Sequence, residues 1–155
     1  MMANWSKPIY DRTQADVDYA KSQIKYFKQN GGVTDGKNMK GCLNSEDLNR
    51  IESNTEYLSD TLRTLYYFNN IDKHTDIWYV SSIPYVEHID RIISNVSKLQ
   101  SYYFKPPNSP NLPNTLTHYE EVNRIEKCIY LLKSMIDNMV SSFRECNDGL
   151  ECEEE

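Results

Sequence analysis

Apolar residues recur along this chain at alternating steps of three and four. That spacing leaves helix as the only regular structure for its longest patterned stretches. Leu48, Ile51, Thr55, Leu58, Leu62 and Leu65 follow it, and Val122, Ile125, Ile129, Leu132, Ile136, Met139 and Phe143 hold it for three heptads. Val86, Ile89, Ile93 and Val96 form another stripe, widened by Ile92 and Leu99, while Val17, Ala20, Ile24 and Phe27 form a shorter one. A helix with a single apolar stripe is not stable alone in water, so the four must pack together. Glycine is scarce, at 5 of 155 residues, where strand-rich folds need more turn glycines.

The start signals agree. Thr13 with Asp16 and Thr117 with Glu120 have capping-box spacing, Asn44 with Asp47 is a looser version, and Pro84 suits a first turn. The expected helices span 14–29, 45–68, 84–104 and 117–145. At ~1.5 Å per residue the last is roughly 40 Å long, so its final turns are expected to project or to pair with another subunit. Between helices, Gly31, Gly32, Gly36 and Gly41 favour a flexible 30–43 loop, with a short hairpin around Val33 to Met39. Pro106, Pro107, Pro110 and Pro113 stiffen 105–116 into an extended crossover, and Ile77-Trp78-Tyr79-Val80 suggests a short extended stretch.

A local pattern appears four times: Val17-Asp18, Leu48-Asn49, Ile89-Asp90 and Val122-Asn123. In the last three Arg-Ile follows, and Glu46, Glu87 and Glu120 precede Arg50, Arg91 and Arg124 by four residues. Glu before Arg at this spacing is the favourable helical orientation, worth ~0.2–0.5 kcal/mol per pair, so the three pairs are expected to fasten helix starts. Two other readings stay open. The arginines would bind an anion on a partner, or Arg50 and Arg124 would reach carbonyls or Asn side chains across the bundle. Asn49 and Asn123 suit the latter, because Asn is a poor helix former without a specific partner. The best-matching copies lie 74 residues apart, and Trp5 and Trp78 lie 73 apart. The expectation is therefore a single all-α domain over 1–155. A helical hairpin with a Trp-containing lead is used twice (1–72 and 73–146), closes into a four-helix bundle, and is followed by an acidic tail at 147–155.

Charge and composition narrow the function classes. A net charge of −6, with pI near 5.1, argues against a general nucleic-acid binder. No segment reaches the ~18 apolar residues of a membrane span, and Met1 to Tyr10 has no apolar signal core, so synthesis and residence in the cytoplasm are expected. Cys42, Cys128, Cys146 and Cys152 are then expected as thiols, in no zinc-binding spacing. His74, His88 and His118 are scattered and read as solvated. Neither nucleophile motifs nor phosphate loops occur, so catalytic residues, metal and cofactor are all expected to be none. The remaining class, an enzyme with an unrecognised carboxylate site, would show itself as perturbed carboxylates clustered in a pocket. The aromatics carry the interface expectation: Tyr66-Tyr67-Phe68 and Tyr102-Tyr103-Phe104 end two helices, and Trp5 and Trp78 lead into two. Trp5, Trp78, Tyr66, Tyr67, Tyr102 and Tyr103 are thus the candidate partner-binding residues, with some of each cluster necessarily exposed.

Asp11-Arg12-Thr13-Gln14-Ala15-Asp16-Val17 after Trp5, Gly41-Cys42-Leu43-Asn44-Ser45-Glu46-Asp47-Leu48-Asn49-Arg50-Ile51-Glu52, and Pro106-Pro107-Asn108-Ser109-Pro110 leading to Val122-Asn123-Arg124-Ile125-Glu126 together span nearly the whole chain. They resemble small proteins encoded in prophages of gut Firmicutes, regarded as structural or tail-region components. The resemblance supplies no catalytic residue. It implies a non-enzymatic virion component bound to other phage structural proteins or to itself. The alternative is a cytoplasmic helical adaptor or phage accessory protein that binds a host target.

Overall fold

The computed structural model describes residues 4–31, 39–79 and 81–148. The expected hairpin around Val33, Val80 of the extended stretch, and the tail from 149 fall outside the described residues. The protein is an all-α four-helix bundle of α1 (Gln14–Asn30), α2 (Ser45–Thr64), α3 (Val86–Tyr102) and α4 (Tyr119–Asp148), with no strand among the described residues. None of these helices is long and apolar enough to cross a membrane.

Close helix packing runs α2–α4, α2–α3 and α3–α4. Leu48, Ile51, Leu58 and Leu62 of α2 meet Ile92, Val96 and Leu99 of α3 and Val122, Ile125, Ile129, Leu132 and Ile136 of α4 in one buried cluster. Each such side chain contributes about 1.5–3 kcal/mol, so these three helices hold the molecule together. The α3 stripe is rotated from its expected centre: Val86 is exposed and Asn95 joins the buried face. From α1 only Ala20 is buried, and it lies outside that cluster. The 39–43 segment returns across the first turn of α1 at Gly41, where a Cβ would lie 2.2 Å from the Asp16 backbone, so only glycine fits. Beyond Ile136, α4 continues with Asp137, Asn138 and Ser141 to Phe143 exposed, the projection expected from its length.

The direction of the helices overturns the hairpin expectation. Arg91 pairs with Glu52 near the starts of α3 and α2 (2.7 Å), and Tyr67 and Tyr103 meet just past their ends (centroids 5.0 Å). Arg50 pairs with Glu126 (2.6 Å), and seven residues further along each helix Lys133 Nζ lies 5.6 Å from the Tyr57 ring. Helices α2, α3 and α4 are therefore parallel. The links 65–85 and 103–118, of 21 and 16 residues, make this possible. Returning ~30 Å along a helix needs about nine extended residues, whereas a helical hairpin needs only about 2–8.

Three extended segments fill the three grooves of this parallel core, each running against the helices. Residues 4–12 lie between α2 and α4, where Ser6 bonds Asn54 and Arg12 bonds Asn123. Residues 69–78 lie between α2 and α3, where Asp72 bonds Asn95 and Trp78 bonds Asn49. Residues 105–116 lie between α3 and α4, where Ser109 meets both Gln100 and Cys128. In all four Asn contacts one amide accepts from the backbone N–H and donates to the C=O of the same residue. The helices thus supply what a neighbouring strand would, satisfying extended backbone in a fold without a sheet.

The repeating unit is consequently a lead plus one helix, and it occurs three times. A shift of 41 carries α2 onto α3 and a further 33 carries α3 onto α4. The first helical residue follows Asn44, Tyr85 and His118, and Ile51, Ile92 and Ile125 coincide, as do Leu58, Leu99 and Leu132. Asn54, Asn95 and Cys128 coincide as well, reaching Ser6, Asp72 and Pro110 respectively. Six residues on in each lead stand the buried Arg12, Trp78 and Leu116. The 74-residue offset joins the first and third copies, and α1 with residues 31–43 interrupts the first. The twofold division at 72/73 is corrected accordingly. Trp5 and Trp78 are not equivalent either: Trp5 is half-buried on Tyr57, while Trp78 is buried between His74 and His88.

Two of the expected caps form as read. Asp16 N–H donates to Thr13 Oγ1 (3.3 Å) and Asp47 N–H to Asn44 Oδ1 (2.9 Å), each with the reciprocal bond. On α4 the cap is displaced by one residue from Thr117/Glu120. Glu121 accepts from the backbone N–H of Thr117 (2.7 Å) and His118 (3.0 Å) and from the hydroxyls of Thr115 and Thr117. Partial burial raises the Glu121 pKa, but these donors outweigh it and hold the carboxyl at about 2. A carboxylate depressed on folding contributes stability above its unfolded pKa and loses it as pH falls towards the folded one. Wild type is therefore expected to lose more stability than Glu121→Gln between about pH 4.5 and 2, measured by urea unfolding at each pH. Identical slopes would remove the cap from the account.

Candidate functional site: an aromatic end and a buried ion cluster

Because α2 and α3 are parallel, their C-termini lie side by side and bring the two aromatic triplets to one end of the bundle. Helix α2 stops in a Schellman arrangement: Tyr67 N–H donates to Leu62 O (2.9 Å) and Tyr66 N–H to Arg63 O (3.0 Å). Tyr66 occupies the left-handed position of that motif, with φ 64°, where glycine is the usual residue. Its side chain is 84% exposed, and Phe68 follows at 75%. Tyr67 turns inward, half-buried and edge-on to Tyr103. Tyr103 is itself buried, with its hydroxyl on Met139 Sδ (3.3 Å). Tyr102 and Phe104 point outward, Phe104 at 64% exposure.

Of the six aromatics expected to contact a partner, Tyr66 and Tyr102 are therefore surface residues and Tyr67 is partly so. Trp78 and Tyr103 are core residues, which corrects their assignment, and Trp5 is half covered, with Lys133 Nζ 5.5 Å from its ring. Their packing partners explain the correction: neither ring is left with a free face. Phe68 and Phe104, part of the triplets but not singled out, are more exposed than Tyr102.

The three Glu–Arg pairs at i,i+4 do not form. Glu46, Glu87 and Glu120 are exposed and make no ion pair among the described residues. The arginines look across the bundle instead. Arg50 donates to Glu126 of α4 through Nε (3.0 Å) and Nη2 (2.6 Å), and to Asp47; Arg91 makes a bidentate pair with Glu52 of α2. By the threefold relation Arg124 would look to position 93 of α3. Ile93 stands there instead of a glutamate, and Arg124 is exposed.

Arg12, absent from the expected set, completes a buried cluster of two arginines and two carboxylates. Its Nη2 donates to Asp47 (2.8 Å) and Glu126 (2.9 Å), its Nε to Lys40 O (3.0 Å), and its Nη1 to Ile9 O. Glu126, with no exposed surface, also accepts the Ile9 N–H at 2.6 Å. Burial works against the Arg50 charge, but the bonds to Glu126 and Asp47 prevail and raise its pKa. Removing one partner leaves a buried charge uncompensated, so Glu126→Ala is expected to cost about 3–5 kcal/mol in urea unfolding. A loss below about 1 kcal/mol, the range of exposed pairs, would contradict this.

A second polar region lines a cavity of about 210 Å3 between α2 and the 69–78 lead, with Asn49, Glu52, Glu56, Asp72, Lys73 and His74 on its wall. Burial raises the Glu52 pKa against the opposing pull of Arg91. His74 stacks on Trp78 at 4.7 Å and His88 accepts the Tyr85 N–H through Nδ1 (3.0 Å), so both are half-buried structural groups rather than solvated ones; His118 is exposed. Trp78 Nε1 is buried without a hydrogen-bond partner. Glu52, Glu56 and Asp72 are each held by Arg91, Lys73 or Lys98, so one shifted carboxylate stands there in place of a reactive cluster. Among the described residues no group of three or more metal-ligating side chains occurs. Cys42 and Cys128 are free thiols, both pushed up by burial. Compared with known proteins, the chain matches no family, no curated protein and no solved structure.

A tyrosine in the left-handed region costs roughly 1–2 kcal/mol relative to residues free to adopt it. Tyr66→Gly is therefore expected to stabilise the fold by about 1 kcal/mol in chemical denaturation. An unchanged or lowered midpoint would show that the Tyr66 ring contributes to folding.

Proposed function

We propose that the chain is an assembly protein acting through protein–protein contact at its aromatic end. Following the prophage resemblance, we place it in a phage tail or baseplate. The observation carrying this reading is the exposed group Tyr66, Phe68, Tyr102 and Phe104 at the joined C-termini of α2 and α3. Aromatic rings concentrate binding energy when desolvated, whereas exposed in water they give the isolated fold little. Tyr66 sharpens the point: a large ring is kept where the backbone favours glycine and the ring is almost fully exposed. The 3–4-spaced α4 turns beyond Ile136, carrying exposed Phe143, extend the same end of the molecule.

The test is mass spectrometry of purified particles from induced host cells carrying either the wild-type chain or Phe68→Ser/Phe104→Ser. Wild type is expected at a fixed ratio to a major tail or capsid protein, and the variant is expected to be depleted. Recovery of the wild-type chain only in the soluble lysate would overturn the particle reading in favour of a cytoplasmic helical adaptor binding a host target.

A further inference from the structure

We infer that copies of this chain stack head to tail along the bundle axis, the N-terminal end of one core seated on the aromatic C-terminal end of the next. The inference rests on the reading of the aromatic end as a docking surface and names a second copy as its occupant. Three parallel helices make the molecule polar, so its two ends carry different chemistry. At the C-terminal end, Tyr66, Phe68, Tyr102 and Phe104 stand exposed beside the cations Arg63 and Lys105. At the N-terminal end a groove of about 270 Å3, lined by Leu43, Pro84, Val86, Ile89 and Leu116, is open beside exposed Ile83, Tyr85 and Val86. Around it stand Glu46, Glu87 and Glu120, one from each repeat, together with Asp90. All four are exposed and without an ion pair among the described residues.

Each end thus combines apolar surface with charge, and the charges are opposite. Joining two N-terminal ends would bring eight unpaired carboxylates together, and joining two C-terminal ends would oppose Arg63 and Lys105 with their own copies. Like charges in apposition select against both symmetric pairings. The remaining contact is heterologous, and heterologous contacts propagate into rings or filaments. Helices of about 10–12 Å diameter give the end of a three-helix core a few hundred Å2. That is below the ~800 Å2 per partner of a stable interface, so assembly should be concentration-dependent and reversible.

Sedimentation velocity of the full chain over a concentration series tests this with two variants whose changes lie on exposed side chains. Phe68→Ser/Phe104→Ser blocks the C-terminal end, and Tyr85→Ser/Val86→Asp blocks the N-terminal end. Circular dichroism confirms that each is folded. Wild type is expected to form a growing series of oligomers, and either variant alone is expected to associate about tenfold more weakly or worse. Mixed together, the two variants each retain one good end and should form dimers that grow no further. Overturning results are a wild type monomeric throughout, undiminished assembly in either variant, or a mixture that does not dimerise. A monomeric wild type that still enters particles, and loses entry through Phe68→Ser/Phe104→Ser, overturns stacking while leaving the assembly reading intact.

Discussion

Glu126 is a carboxylate with no exposed surface, and it accepts from Arg12, from Arg50 twice and from the Ile9 backbone. Burial of one such charge is tolerable only if its neighbours neutralise it, and here each neighbour belongs to a different part of the chain. Arg12 and Ile9 sit in the N-terminal lead, Asp47 and Arg50 open α2, and Glu126 opens α4. The cluster is locally neutral and satisfies its donors geometrically. It therefore fixes the rotation of α4 against α2 and the position of the lead between them. Apolar stripes set that these helices pack; this cluster sets how they are rotated about their axes.

The same logic governs the other grooves in a milder form. Extended segments buried against helices would leave their backbone groups unpaired, since neither water nor a neighbouring strand reaches them. Asn49, Asn54, Asn95 and Asn123 resolve this by giving one acceptor and one donor to a single residue of the adjacent lead. Asn is mildly unfavourable within a helix. Four such positions on faces turned towards the leads are explained by the backbone pairs they complete. In the third groove Cys128 takes the corresponding place and donates to Pro110 O, a carbonyl whose residue has no N–H to be satisfied.

Function is carried by the ends rather than the sides. The sides are closed by leads and ion pairs, and the principal polar cavity has its carboxylates held by cations. The ends show the opposite economy: aromatic and aliphatic rings exposed, a tyrosine held in a left-handed turn, and glutamates without ion-pair partners. These are the places where the isolated fold is least satisfied, and they motivate the assembly reading.

Much of this was legible in the residues. The 3–4 spacing located all four helices to within a few residues, the capping pairs located the starts of α1 and α2, and the prolines located an extended crossover. Asn49 and Asn123 were suspect because Asn in a helix wants a partner. Signals for the buried polar groups were present as well: Asn54, Asn95 and Glu126 lie at three- or four-residue steps from core leucines and isoleucines, so each had to be buried with the stripe. Link lengths of 21 and 16 residues already exceeded a hairpin's need. What sequence spacing did not decide was which cation meets which anion. A favourable i,i+4 pair is worth only tenths of a kcal/mol, whereas a buried charge left unmatched costs several. Arg50 and Arg91 therefore abandon Glu46 and Glu87 for carboxylates on neighbouring helices. Period and caps are local properties, written in adjacent residues. Helix direction, threefold repetition and the burial of Trp78 and Tyr103 depend on what lies across the groove, and only the packed chain brings that into place.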